Sequence, residues 1–182
     1  MKINVRAMIL CAIFAALIIV GTFIKIPVPP VPLTMQTFFV ILSGLILGHK
    51  YGAISVLVYI ALGLAGLPVF SGGNGGVGSV LMPTFGYLIG FVVAAYTAGK
   101  IKAKSFKELL FSSFVCMCII YICGAAYYYI MQLMYFKNEI DIKGFIFSFF
   151  ILSLPKDIVV CFLCAFFAKR IRKVTKTPDI RC

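Results

Sequence analysis

The chain has 182 residues, of which 63% are hydrophobic and 12% are charged, and its net charge is +12. Soluble globular domains contain about 45–50% apolar and about 25% charged residues, so this composition excludes a water-soluble protein. Six membrane-spanning helices of about 20 residues would use about 120 residues. The remainder is too short for a separate soluble domain such as a kinase or a protease, so we expect a single membrane domain over residues 1–182.

The apolar runs predict an all-α protein with six transmembrane helices. The first run follows Lys2 and Arg6; it is long for a signal peptide, and five further runs come after it. Prolines in residues 27–32 end the first helix, because proline cannot continue one. The sixth helix is expected to begin near Pro155, a favoured first helical position, after an outer segment over residues 145–154. The predicted spans are about 8–24, 33–48, 51–67, 83–99, 109–135 and 155–170.

The basic residues predict the orientation of the bundle. With the N-terminus inside, thirteen of the seventeen Lys and Arg residues fall on inner segments and three fall on outer loops. Cytoplasmic segments of membrane proteins carry this excess of positive charge, so both termini are expected in the cytoplasm. The charge is then explained by topology and by attraction to anionic lipid. A nucleic-acid partner would need a basic patch on a folded surface, and none is left over.

Two short motifs match the sequence patterns of cofactor or metal sites but lack the neighbouring residues and elements that such sites need. Cys161 and Cys164 form a CxxC pair inside an apolar run, where cysteine behaves as a small hydrophobic residue. The GxGxxG over residues 73–78 lacks the preceding strand and the later acidic residue of a dinucleotide site. Gly99-Lys100 is followed by Ile101, so a Walker A motif is absent too. We expect no metal, no cofactor and no ATPase activity in this chain.

Lys156 and Asp157 are the most informative charged residues, because ionisable groups at membrane depth are costly. Behind Pro155 they are predicted in the first turn of the sixth helix, where free N–H groups stabilise a carboxylate. One interpretation is that both side chains lie in water and cap the helix. The other is that Asp157 faces a cavity and accepts hydrogen bonds from a ligand, while Lys156 attracts a ligand carboxylate.

A glycine-rich stretch over residues 71–79 is the second candidate feature, on the same predicted outer side. Glycines such as Gly73 and Gly75 let the backbone approach a ligand closely, and Asn74 supplies one amide. A flexible outer loop is the alternative. Phe70, Phe85 and Tyr87 flank the stretch and are predicted to wall an apolar pocket, whereas Tyr127, Tyr128, Tyr129 and Tyr135 suit an interfacial belt.

The first predicted span carries Ala12 and Ala16, four residues apart. Small residues at this spacing let a second helix approach closely, although alanine pairs also occur by chance.

Taken together, these segments show that the chain resembles the BioY family, the biotin-specific capture subunits (S components) of energy-coupling factor transporters. The resemblance covers nearly the whole chain. It rests on the six-span layout and on four segments: the prolines before Thr34-Met-Gln36-Thr37, the run from Gly63 through Gly76, Pro83 to Phe91, and Pro155-Lys-Asp157.

The resemblance implies a six-helix subunit that binds biotin from outside and works with a membrane coupling subunit and ABC-type ATPases. It places Ala12 and Ala16 at the contact with the coupling subunit, and Asn74 and Asp157 at the ureido head of biotin. The substrate-binding residues that we predict on this basis are Gln36, Phe70, Gly73, Asn74, Gly75, Phe85, Tyr87, Lys156 and Asp157.

The chain departs from the family pattern where the ligand carboxylate would be held. The family motif Pro-Gly-Asp, with a lysine three residues later, reads Lys156 at the glycine and Val160 at the lysine; Leu88 replaces an arginine found in some members. Lys156 is the substitute candidate for the carboxylate. A stand-alone carrier or channel without an ATPase is the alternative function. A membrane enzyme is disfavoured, because one histidine and five acids offer no paired arrangement within the spans.

Overall fold

The computed structural model describes residues 5–26, 33–101, 103–136 and 153–175. The described residues form six α-helices, which confirms the predicted all-α class. A 3-10 turn over Val77–Leu81 precedes the fourth helix, and a π-helical turn over Gln132–Phe136 continues the fifth. The helices are α1 Val5–Phe23, α2 Gln36–Leu47, α3 His49–Leu64, α4 Phe85–Lys100, α5 Phe106–Met131 and α6 Ser153–Thr175.

Helix α2 is the centre of the bundle. All of its residues except Phe39 are buried, and it contacts α1, α3, α4 and α6. Small residues allow this close packing: a Cβ added at Gly44 would lie 2.2 Å from the carbonyl oxygen of Ala95, and one at Gly52 would lie 2.7 Å from Cα of Gly44. Backbones that approach this closely are typical of helices packed within a membrane.

The outer faces of the surrounding helices are apolar. Large hydrophobic side chains such as Ile9, Phe111, Ile122 and Phe162 are each more than half exposed. A soluble protein rarely leaves so much apolar surface in water. By length and composition, α1 and the segment Phe106–Met134 are long enough to cross a membrane, and three shorter helices (α2, α3 and α4) are also apolar.

The start of α2 differs from the prediction. Residues Lys25–Ile26 (β1) pair antiparallel with Leu33–Thr34 (β2), and α2 begins only at Gln36. Leu33 was expected inside the second span, but its backbone is used in this two-stranded pair. The proline segment 27–32 and most of the expected outer segment 145–154 lie outside the described residues.

The start of α6 also differs. The helix begins at Ser153, so Pro155 is its third residue and Asp157 lies beyond the first turn. Proline is tolerated there, because the first N–H groups of a helix have no intrahelical acceptor. Asp157 is thus the fifth residue of the described helix, just past the first turn in which it was predicted, and its carboxylate has partners on other elements.

At the opposite end of the bundle, side chains form hydrogen bonds with backbone groups. Arg172 in α6 donates from Nε to Leu45 O at 3.1 Å and from Nη1 to Ala103 O at 2.6 Å, which joins α6, α2 and the α4–α5 connection. Ser105 and Glu108 form a capping box at the start of α5: the Glu108 N–H donates to Ser105 Oγ at 3.2 Å. Charges at this end thus satisfy backbone groups or remain exposed.

Candidate ligand-binding site

Asp157 is a buried carboxylate with two partners in the bundle. Asp157 is 3% exposed. Oδ1 lies 2.9 Å from Lys156 Nζ, and Oδ2 accepts a hydrogen bond from the hydroxyl of Tyr121 on α5. A solvated helix cap would leave this side chain in water, so the interpretation of Asp157 as an exposed cap is wrong. A buried carboxylate held by a cation and a hydroxyl is instead typical of a functional site in a membrane protein.

Lys156 has a second contact. Its side chain is 23% exposed, and Nζ donates to the carbonyl oxygen of Thr34 at 3.4 Å. The apolar stem of lysine can cross the edge of the bundle while the ammonium reaches polar groups. Lys156 therefore links the start of α6 to β2, immediately before α2.

Tyr87 on α4 packs against α5 at Gly124, three residues after Tyr121. The ring fits because Gly124 has no side chain: a Cβ there would lie 2.7 Å from ring atoms of Tyr87. Helix α6 thus places Lys156 and Asp157 beside the Tyr121 hydroxyl of α5, and Tyr87 of α4 packs against the same helix α5.

Tyr121 is the residue that sequence analysis missed. A signal was present: Tyr121, Gly124 and Tyr128 are spaced three and four residues apart, which places them on one face of α5. A tyrosine hydroxyl within an apolar span needs a partner when it is buried. The spacing did not identify that partner, because Asp157 is 36 residues away along the chain.

The glycine-rich stretch is a folded turn held by its own backbone. Phe70 N donates to Asn74 O at 3.0 Å, and Gly73 N donates to Phe70 O at 3.0 Å. The amide of Asn74 donates to Ser71 O at 3.1 Å. Gly73 has a φ of +77°, which other residues rarely adopt. The stretch is therefore an ordered turn, in which the Asn74 nitrogen is already engaged.

The turn is also packed tightly against the end of α3. Gly76 N donates to Gly63 O at 2.7 Å. A Cβ added at Gly75 would lie 2.3 Å from the carbonyl oxygen of Leu67, and one at Gly63 would lie 2.1 Å from the Phe70 ring. Gly75 thus has a packing reason for being glycine.

Phe70 and Gln36 belong to a second buried group, on the α1–α3 side. Phe70 is 5% exposed and packs edge-on against Tyr59, with ring centroids 5.6 Å apart. The Tyr59 hydroxyl donates to Val69 O at 3.3 Å and interacts with the side chains of Thr22 and Gln36. Gln36 is 3% exposed, and its Nε2 has no hydrogen-bond partner among the described residues.

Phe85 stands apart from both groups. Its ring lies 6.1 Å from that of Tyr127, whose hydroxyl donates to Val80 O in the 3-10 turn. Tyr127 was assigned to an interfacial belt, but it joins α5 to the turn before α4. All of these residues lie at the end of the bundle where α2, α4 and α6 begin.

The remaining predicted residues lie on other surfaces. Ala12 and Ala16 are exposed on α1, on the face away from the buried Cys11 and Ala15. No cluster of three or more His, Cys, Asp or Glu side chains that could hold a metal ion is found within the described ranges.

The fold and the site define a class: a membrane-embedded helical bundle with a buried, charge-paired polar site at one end. The BioY family model matches residues 1–177, so the chain belongs to the BioY family.

Relatives and a solved structure agree with this assignment. The biotin transporter BioY of Thermotoga maritima is 39% identical, over 93% of this chain and 97% of the relative. A Lysinibacillus sphaericus protein named "Probable biotin transporter BioY" is 38% identical, over 94% of this chain and 89% of the relative. The crystal structure of an S-component for biotin from an ECF-type ABC transporter superposes with a TM-score of 0.79, at 29% identity, over 93% of this chain and 92% of that one.

Proposed function

We propose that this chain captures biotin as the substrate-binding S component of an energy-coupling factor transporter. Family membership supports the transport class. The observation that carries the site assignment is the buried Asp157 carboxylate, held by Lys156 and Tyr121 at the end of the bundle that also carries the glycine-rich turn. The family is one of transport subunits, and we infer that the chain has no enzymatic activity of its own.

The chemistry of Asp157 suits the ureido ring of biotin. A carboxylate has about four acceptor positions, and the two partners of Asp157 leave room for N–H donors. The ureido head carries two such donors and one carbonyl acceptor. The side chains of Asn74, Gln36 and Tyr87 line the same end of the bundle and are proposed to contact the rest of the ligand. A ligand without matching donors leaves the buried carboxylate unsatisfied, which makes binding selective.

We infer that this end faces the outside of the bacterial cytoplasmic membrane and that both termini are cytoplasmic. The distribution of basic residues supports this orientation, with exposed Lys100, Lys104, Lys169 and Arg170 at the other end. The exposed Ala12 and Ala16 are proposed to contact a membrane coupling subunit that is driven by ABC-type ATPases.

Equilibrium binding of labelled biotin to the purified chain in detergent tests the ligand. We expect saturable binding that unlabelled biotin competes away. Lipoate is the matched control, because it has a sulfur-containing ring and a pentanoate tail but no ureido group. Equal competition by lipoate, or an absence of biotin binding, would refute the proposed site.

Transport in cells or vesicles tests the partner. Uptake is expected only when the coupling subunit and ATPases are present; full uptake by this chain alone would favour the stand-alone carrier. Replacing both Ala12 and Ala16 with leucine should leave biotin affinity unchanged and abolish coupled uptake. Replacing the exposed Ile9 and Ile13 with leucine is the control, since their size changes little. Normal assembly of the alanine variant would refute the docking role.

A further inference from the structure

We propose that Lys156 is the internal counter-ion of Asp157 and does not hold the carboxylate of the ligand. As a consequence, the site recognises the ureido head of the ligand. It binds biotin, and neutral amides made from the tail carboxylate of biotin, with similar affinity. This inference rests on the proposed function for the identity of the ligand, and on the contacts of Lys156 for the role of that residue.

The first step is the place of the Lys156 ammonium. Nζ forms an ion pair with Asp157 Oδ1 at 2.9 Å and donates to Thr34 O at 3.4 Å, so its charge is already paired with a carboxylate of the protein. The Asp157 side chain is 4% exposed, so water cannot replace the cation around it. A buried carboxylate that loses its cationic partner is strongly destabilised.

The second step concerns what a bound ligand would offer Asp157. The ureido N–H groups are neutral: they can donate hydrogen bonds but bring no positive charge. If Lys156 moved to a ligand carboxylate, Asp157 would stay buried with neutral donors alone, namely the ligand and Tyr121. The ammonium would also exchange its contact with the buried Asp157 carboxylate for a contact with the carboxylate of a flexible ligand tail. The original pair is therefore retained when the ligand binds.

The third step is the character of the neighbouring surface. Val160 lies one turn after Lys156 on α6 and is 1% exposed, and Leu88 follows Tyr87 on α4 and is 8% exposed. Both side chains belong to the apolar core and offer no charge to a ligand tail. Among the described residues, Lys25 is the other lysine at this end; it lies opposite Thr34 in the strand pair and is exposed.

Thermal unfolding tests the counter-ion role without any ligand. Lys156→Met should lower the Tm markedly in the wild-type background and much less in the Asp157→Asn background, because the second background has no charge to leave unpaired. If Lys156→Met fails to fold, rescue by Asp157→Asn is the expected result. An equal loss of Tm in both backgrounds, or a lack of rescue, would overturn the pair.

Ligand selectivity tests the consequence. The affinities of biotin and biotinamide should differ by less than about tenfold, since a hydrogen bond to a charged group is worth about tenfold or more. Lys156→Met should weaken both ligands by the same factor. A preference for biotin over biotinamide of about tenfold or more would overturn the proposal, whether Lys25 or Lys156 is responsible. A loss of affinity in Lys156→Met that affects biotin but not biotinamide would also overturn it. If neither ligand binds, the proposed function fails, and the unfolding experiment alone decides the role of Lys156.

Discussion

The two ends of the bundle use charge in opposite ways. At the end with the glycine-rich turn, Asp157 is buried and its partners are side chains, Lys156 and Tyr121. At the other end, Arg172 is directed at the carbonyl oxygens of Leu45 and Ala103, and Glu108 caps a helix while exposed. Arg172 forms hydrogen bonds with backbone carbonyl groups, which are part of the fold itself. Asp157 contacts no backbone donor among the described residues, and its proposed role in binding the ligand would account for this costly burial.

This difference predicts which end controls binding and which controls stability. The largest expected effect is on biotin affinity in Asp157→Asn. Removing the charge weakens the hydrogen bonds from both ureido N–H groups, and we expect a loss of about a hundredfold, or ~2.7 kcal/mol. Glu108→Gln, which neutralises an exposed acid at the other end, is the control. Unchanged affinity in Asp157→Asn, measured by equilibrium binding, would remove Asp157 from the site.

The reverse experiment is Arg172→Ala. Leu45 and Ala103 are 1% and 2% exposed, so their carbonyl oxygens would lose a charged donor with little access to water. We expect the free energy of unfolding to fall by about 2 kcal/mol, with biotin affinity unchanged once the protein is folded. Arg170→Ala, at an exposed position two residues earlier, should change stability little. A specific loss of affinity in Arg172→Ala would mean that the two ends are coupled.

Within the glycine-rich turn, Gly75→Ala tests whether Gly75 is needed for close packing or is simply one of several glycines in a flexible segment. The new Cβ would lie 2.3 Å from Leu67 O, a backbone atom that can move only if the turn moves. We expect a loss of about 1–2 kcal/mol in stability together with weaker biotin binding. Gly78→Ala is the matched control, since nothing lies within 4 Å of its Cβ. Equal tolerance of both substitutions would show that close packing of this turn is unimportant.

The smallest effect is expected from Tyr121→Phe. This change removes one hydrogen bond to Asp157 and keeps the ring, so biotin affinity should fall by about tenfold. Tyr129→Phe on the same helix is the control, because that side chain is 53% exposed. If both variants bind biotin like the wild type, Tyr121 has no part in orienting the carboxylate.

Several features of the molecule followed from sequence order alone. Six apolar runs separated by proline, glycine and charged residues predicted six helices, because each run has the length and polarity of one helix. The helix bounds differ in two places: Leu33 joined β2 in a strand pair, and α6 begins at Ser153, ahead of Pro155. Asp157 was recognisable as a candidate because few acids occur in this chain and it stands in an apolar run.

The partners of Asp157 depended on the tertiary structure. Tyr121 is 36 residues from Asp157, and Thr34 is 122 residues from Lys156, so no local pattern predicted either contact. The packing of α5 and of β2 against α6 makes both. Phe70 illustrates the same limit: its role as a pocket wall stays a prediction, and only the structure shows that it packs against Tyr59 and Gly63.

The sequence by itself determined the membrane class, the six helices and the family, since these depend on hydrophobicity and on motifs that are contiguous in the chain. Only the tertiary structure decided that Asp157 is buried rather than solvated, and that Lys156 is directed at Asp157. Burial and charge pairing arise when distant helices pack together, and for that reason a linear pattern leaves them open.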